Sequence, residues 1–159
     1  MKRAILAILA ILVLVTGCAP GGESAGSEAA DTIPIEMVLG DEMGTLRFQI
    51  PAVFKDDLDL RMVPADTAEF CLAIQFWIKN ADSPEQILTL NVVEQSLYDR
   101  WVAADEPLPS VMLEQGGYLV GDWLTPYNPM EEGTEAYRLV EDHLPGLRKS
   151  IRDSIAWDQ

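Results

Sequence analysis

The sequence predicts an α+β domain: an antiparallel sheet of about five to seven strands, a C-terminal amphipathic helix across one face, and a short helix elsewhere. Three observations carry this. Apolar and polar residues alternate with period two in short runs between Ile33 and Leu124, most of them bounded by Gly, Pro, Asn or Asp. Brief turns join consecutive runs, as antiparallel neighbours allow and parallel ones do not. From Tyr137 to Ile155 the spacing of apolar residues changes to three and four, which is that of one helix face.

The chain opens with Lys2 and Arg3, followed from Ala4 to Val15 by Ala, Ile, Leu and Val alone. A positive start followed by a short apolar run is the pattern of a signal peptide. At 1.5 Å per residue the run reaches about 18 Å, short of the ~30 Å hydrocarbon core that a spanning helix must cross. Val15-Thr16-Gly17-Cys18 closes the segment and resembles a lipobox, the processing site of bacterial lipoproteins. The resemblance implies cleavage before Cys18, a diacylglycerol on the Cys18 sulfur, and a mature protein held to membrane lipid by acyl chains on its first residue. Residues 1–17 are then the signal peptide, 18–32 a lipidated Cys and tether, and 33–159 one globular domain. The tether is Gly, Ser, Ala and acid without periodicity, and as a flexible coil it sets the domain about 20 Å from the bilayer.

Ile33, Ile35 and Met37 alternate with polar partners, as do Leu46, Phe48 and Ile50, giving two strands around an acidic, Gly-bounded turn. Pro51 to Leu58 reads as a helical turn with Val53 and Phe54 inward. Leu58 to Val63 and Phe70 to Ile78 follow as strands. In the second, Phe70, Leu72, Ile74, Phe76 and Ile78 share one face, while Cys71, Ala73, Gln75, Trp77 and Lys79 share the other, so it is expected in the middle of the sheet. The turn Asn80-Ala81-Asp82-Ser83-Pro84-Glu85 leads into Ile87 to Val93. Ser96 with Asp99 marks a helix start, and Leu97, Tyr98, Trp101 and Val102 give it an apolar side up to about Ala104. Ser110 to Leu113 and Tyr118 to Leu124 flank Glu114-Gln115-Gly116-Gly117, a hairpin whose glycines suit positive φ.

The last helix has two possible starts, at Asn128-Pro129 or at Thr134 after Gly133. Tyr137, Val140, Leu144, Leu147, Ile151 and Ile155 form its stripe. Pro145 lies in the stripe and should kink the helix or restart it near His143-Leu144.

The order of a hairpin around Leu46-Arg47-Phe48-Gln49-Ile50-Pro51, a central hairpin, a short helix, the Gly116-Gly117-Tyr118-Leu119-Val120 hairpin and a terminal helix resembles small lipoproteins of gut Clostridia and their relatives. Their folds are similar to the PsbP-like α/β/α sandwich of extrinsic photosystem subunits. That resemblance implies a binding or assembly role without catalysis. It carries no functional residue across, because no site motif accompanies it.

The chain's net charge is −15, and the signal segment carries Lys2 and Arg3, so the part after the cleavage site holds −17. Nucleic acid is excluded, since its binding depends on Lys and Arg displacing phosphate counterions. With Cys18 committed to lipid, Cys71 is the remaining thiol and no internal disulfide forms. Asp56, Asp57 and Asp59 lack the spacing, central Gly and closing Glu of a calcium loop. One histidine, His143, and no nucleophile-elbow, zincin, P-loop or dinucleotide motif argue against an enzyme and against a cofactor. Acid pairs such as Asp41/Glu42 and Glu131/Glu132 serve hydrolysis only when folding sets two carboxyls ~5–10 Å apart across a cleft.

The expected function is therefore that of a lipid-anchored extracytoplasmic binding or assembly protein without catalysis, its partner an unknown protein or small ligand. A sensor for a small solute or cation is the alternative. The aromatics Trp77, Trp101, Trp123, Tyr118 and Tyr127 anchor contacts if exposed and pack the core if not. Among them Tyr118, Trp123 and Tyr127, bordered by Asp122, form the candidate partner-binding surface.

Overall fold

The structure, a computed structural model, describes residues 31–40, 43–64, 72–79, 84–124 and 127–158. The signal segment, Cys18, most of the tether, Asp41, Glu42, Phe70, Cys71 and the turn at 80–83 lie outside the described residues.

The elements in order are β1 (Thr32–Gly40), β2 (Gly44–Pro51), a single 3-10 turn (Ala52–Phe54), β3 (Leu58–Pro64), β4 (Leu72–Ile78), β5 (Glu85–Glu94), α1 (Gln95–Ala103), β6 (Ser110–Gln115), β7 (Tyr118–Leu124), α2 (Glu135–Ser154) and β8 (Ala156–Asp158). The class is the expected one, antiparallel α+β with a terminal helix. The strands divide between two sheets, ordered β1-β2-β8 and β3-β4-β5-β7-β6. The middle strand is β5, not β4. The connection through α1 carries β6 to the far edge and returns β7 against β5, so β5 has a neighbour on each side and side chains buried on both faces, Leu88, Leu90 and Val92 on one and Asn91 and Val93 on the other.

One core lies between the sheets. The inner face of the large sheet presents Leu72, Ile74, Phe76 and Ile78 from β4 and Leu88, Leu90 and Val92 from β5. Against it come Leu46, Phe48 and Ile50 of β2, with the Phe48 and Phe76 rings 5.9 Å apart. Val140, Leu147 and Ile151 of α2 complete the layer. In the 3-10 turn only Phe54 points in; Val53 is exposed, because one turn has only one buried side.

Helix α2 starts at the later of its two possible positions. The Thr134 hydroxyl accepts the Tyr137 N–H at 3.1 Å, and Gly133 before it takes φ +89°. It then runs as one element through Pro145, so the expected restart near His143-Leu144 does not occur. Pro145 and Gly146 are exposed, as is Glu141, whose carbonyl Pro145 cannot serve; that carbonyl therefore lies on the solvent side while Leu144 and Leu147 stay packed. At α1 the cap is Glu94, whose side chain accepts no main-chain N–H of the helix. The helix start is fixed instead by the Gln95 N–H, which donates to the Gly117 carbonyl at 2.9 Å, while Ser96 donates only to the Glu94 carboxylate.

The small sheet shows how its edges are finished. Thr45 and Arg47 of β2 pair with Asp158 and Ala156 of β8. One step further, where the strand has given way to helix, Ser154 stands where Gln49 would find its partner. Its hydroxyl accepts the Gln49 N–H at 2.7 Å, and the Ser150 hydroxyl donates to the Gln49 carbonyl at 3.0 Å. Two helix serines thus complete the ladder that β8 begins. The same alternation turns the main-chain groups of Pro34, Glu36 and Val38 toward the open edge of β1, where Pro34 has no N–H to offer.

Trp157 ties this sheet to the other. Its indole N–H donates to the Met43 carbonyl, its own carbonyl accepts Gln115 Nε2 at 2.6 Å, and its ring lies 5.7 Å from that of Tyr118.

Candidate functional site

The large sheet's second face is only partly covered. Val93 and Leu119, both of which point to it, are buried where α1 packs on β5 and β7. Gly121 beside them has no room for a side chain, since a Cβ there would stand 2.9 Å from Pro109. Beyond that line the face is open among the described residues.

The register builds the open part as a row across four strands: Trp123 on β7 opposite Thr89 on β5, Thr89 opposite Gln75 on β4, and Gln75 opposite Arg61 on β3. At ~4.8 Å per strand the row is about 14 Å wide. A second row, one pleat along, holds Gln86, Trp77 and Asp59. Trp123 is 39% exposed, and Gln75, Trp77, Gln86 and Thr89 are half-buried.

These side chains hold one another in place. The Trp77 indole N–H donates to Gln75 Oε1 at 3.1 Å, and the Arg61 guanidinium sits 4.4 Å above the Trp77 ring while donating to Asp59 at 2.8 Å. Gln86 Nε2 donates to the Thr89 hydroxyl at 2.5 Å. The strip therefore presents the Trp123 indole at its β7 end, amides and a hydroxyl across β5 and β4, and at its β3 end the Arg61–Asp59 pair, whose guanidinium covers the Trp77 ring.

The four residues of the expected surface do not meet here. Period-two alternation sends Trp123 to the open face and Tyr118 and Asp122 to the inner one. This corrects the expectation that Asp122 borders an exposed surface, since its side chain is fully buried and accepts from Arg148 Nε at 2.5 Å. Asp122 Oδ1 has no hydrogen-bond partner among the described residues. Tyr118 is half-buried against Trp157. Tyr127 is 69% exposed and follows two residues outside the description. Trp101 is half-buried on α1. Sequence reasoning had set Gln75 and Trp77 apart from the core face of their strand, but Arg61, Gln86 and Thr89 join them only through pairing.

A separate cavity of about 370 Å³ opens between the 3-10 turn, the end of β4 and the first turns of α2. Val53, Ile78, Ala136 and Leu139 line it together with the carboxyl-bearing Asp57 and Glu135. His143 is exposed, and its ring stands T-shaped to that of Phe54 with the centroids 6.4 Å apart. Among the described residues no group of three His, Cys, Asp or Glu is placed to hold a metal ion, and no helix is long and apolar enough to cross a membrane. No protein-family model, curated protein or solved structure matches the chain.

Proposed function

We propose that the protein is a lipid-anchored extracytoplasmic binding protein without catalysis, tethered through Cys18 and presenting the open face of its large sheet to a partner. The observation that supports the binding role is Trp123, a large aromatic left exposed on a polar sheet face while other strands close the core around residues of its size. The Val15-Thr16-Gly17-Cys18 motif supports the anchor. Cys18→Ala should move the protein from the membrane fraction to the soluble fraction. Cross-linking on intact cells should then capture a partner only with the anchored form. Equal partition of both forms would sink the anchor, and capture by neither would sink the binding role.

A second reading, a receptor for a small organic cation, rests on the cavity, whose apolar lining and two carboxyl-bearing residues suit an amine with a hydrocarbon body. Hexylamine should raise the melting temperature saturably, approaching about 2.7 kcal/mol of stabilisation at one hundred times its Kd. Hexanol should do so far more weakly. Equal shifts from both, or none from either, remove this reading.

A further inference from the structure

We infer that the open strip of the large sheet takes an uncharged polysaccharide chain, an assignment that rests on the binding role proposed above and names its ligand class. A pyranose has one face of C–H groups and a rim of hydroxyls that both donate and accept. The strip offers the complement in both respects. Trp123, exposed at the β7 end, is a ring surface for a C–H face, whereas the Trp77 ring on β4 is covered on one side by the Arg61 guanidinium. Gln75 on β4 and Gln86 and Thr89 on β5 have amide and hydroxyl groups, which donate and accept as sugar hydroxyls require.

Charge narrows the choice. The chain carries −15, yet this strip contains only the Arg61–Asp59 pair, closed on itself at 2.8 Å. An anionic polymer would meet the repulsion of the whole chain, offset beside the strip among the described residues only by exposed Lys79 after the end of β4, and a cationic one would find the Asp59 carboxylate already paired with Arg61. A neutral chain loses nothing to either. The outline fits as well, since a row about 14 Å long across four strands gives an extended polymer several points of contact in line. The side chains are already held by one another, so little conformational freedom is lost on contact.

The test is affinity electrophoresis of the detergent-solubilised full chain in gels containing hydroxyethyl cellulose, xyloglucan, galactomannan or soluble β-1,3-glucan, with hyaluronate as the anionic control. At least one neutral polymer should retard the protein, and hyaluronate should not. Trp123→Ala should weaken retardation at least tenfold with its melting temperature within a few degrees of the parent, while Trp123→Tyr keeps most of it. If Trp123→Ala fails to fold, Gln86→Ala is read in its place, with the same tenfold loss expected. Retardation by none of the neutral polymers, or retardation that both variants leave untouched, overturns the assignment. A protein cross-linked through Trp123 without any polysaccharide retardation overturns the ligand class and spares the binding role; absence of both removes the two together.

Discussion

Phe76→Ala should lower the free energy of unfolding by about 3–5 kcal/mol, the range for emptying an aromatic site in a closed core. Phe76 is fully buried on β4, next to the middle strand, and its ring meets Phe48 across the gap between the sheets. Both walls of the gap are hydrogen-bonded sheets, which cannot collapse into a void as a lone helix can, so the upper half of the range is expected. Against a total of some 5–15 kcal/mol for a domain of this size, the loss takes a large share. Urea unfolding followed by tryptophan fluorescence would measure it, with Val53→Ala, an exposed site, staying within about 0.5 kcal/mol. A cost below 1 kcal/mol for Phe76→Ala would mean that the two sheets are not joined through this pair.

The second large effect is asymmetric. Arg148→Met should destabilise by about 3 kcal/mol, because it removes the cation that, among the described residues, is bonded to a carboxylate with no access to water. Asp122 Oδ1 already lacks a bond among the described residues, and the substitution would leave Oδ2 without one as well. Asp122→Leu should cost less, since Arg148 retains 23% exposure and can turn its guanidinium outward. The double variant Asp122→Leu/Arg148→Met should recover most of the loss, as apolar replacement of a buried pair often does. Equal costs for the two single variants, measured by the same unfolding, would show that the pair is effectively solvated.

What the sequence displayed was local. The strands carry their buried faces in plain alternation, and the stripe from Tyr137 to Ile155 shows which side of α2 packs. Pairing was not displayed, because a period of two tells each side chain its face without telling the strand its neighbour. Hence the separation into two sheets, the central place of β5 and the short β8 were not legible. Nothing in Ala156-Trp157-Asp158 alone separates a strand from a frayed helix end until Arg47 and Thr45 stand opposite it. The candidate surface failed for the same reason. Tyr118, Asp122 and Trp123 are close in sequence, but the strand places the last on the opposite face from the others. Thr89 and Arg61 are far apart in sequence, and only the register brings them into one row with Gln75.

The proline on β1 has a consequence for copies of the protein that share a surface. On the anchoring proposed above, copies held to one surface by tethers of equal length meet side by side repeatedly. A bare strand edge is then a seed for lateral polymerisation, since one copy's edge fits the next. Pro34 breaks that fit. Two β1 edges brought together would face a missing donor at the third residue of a nine-residue strand, with Glu36 two places away adding like charge. Under the anchoring proposed above, copies can therefore crowd together on a membrane without joining through this edge.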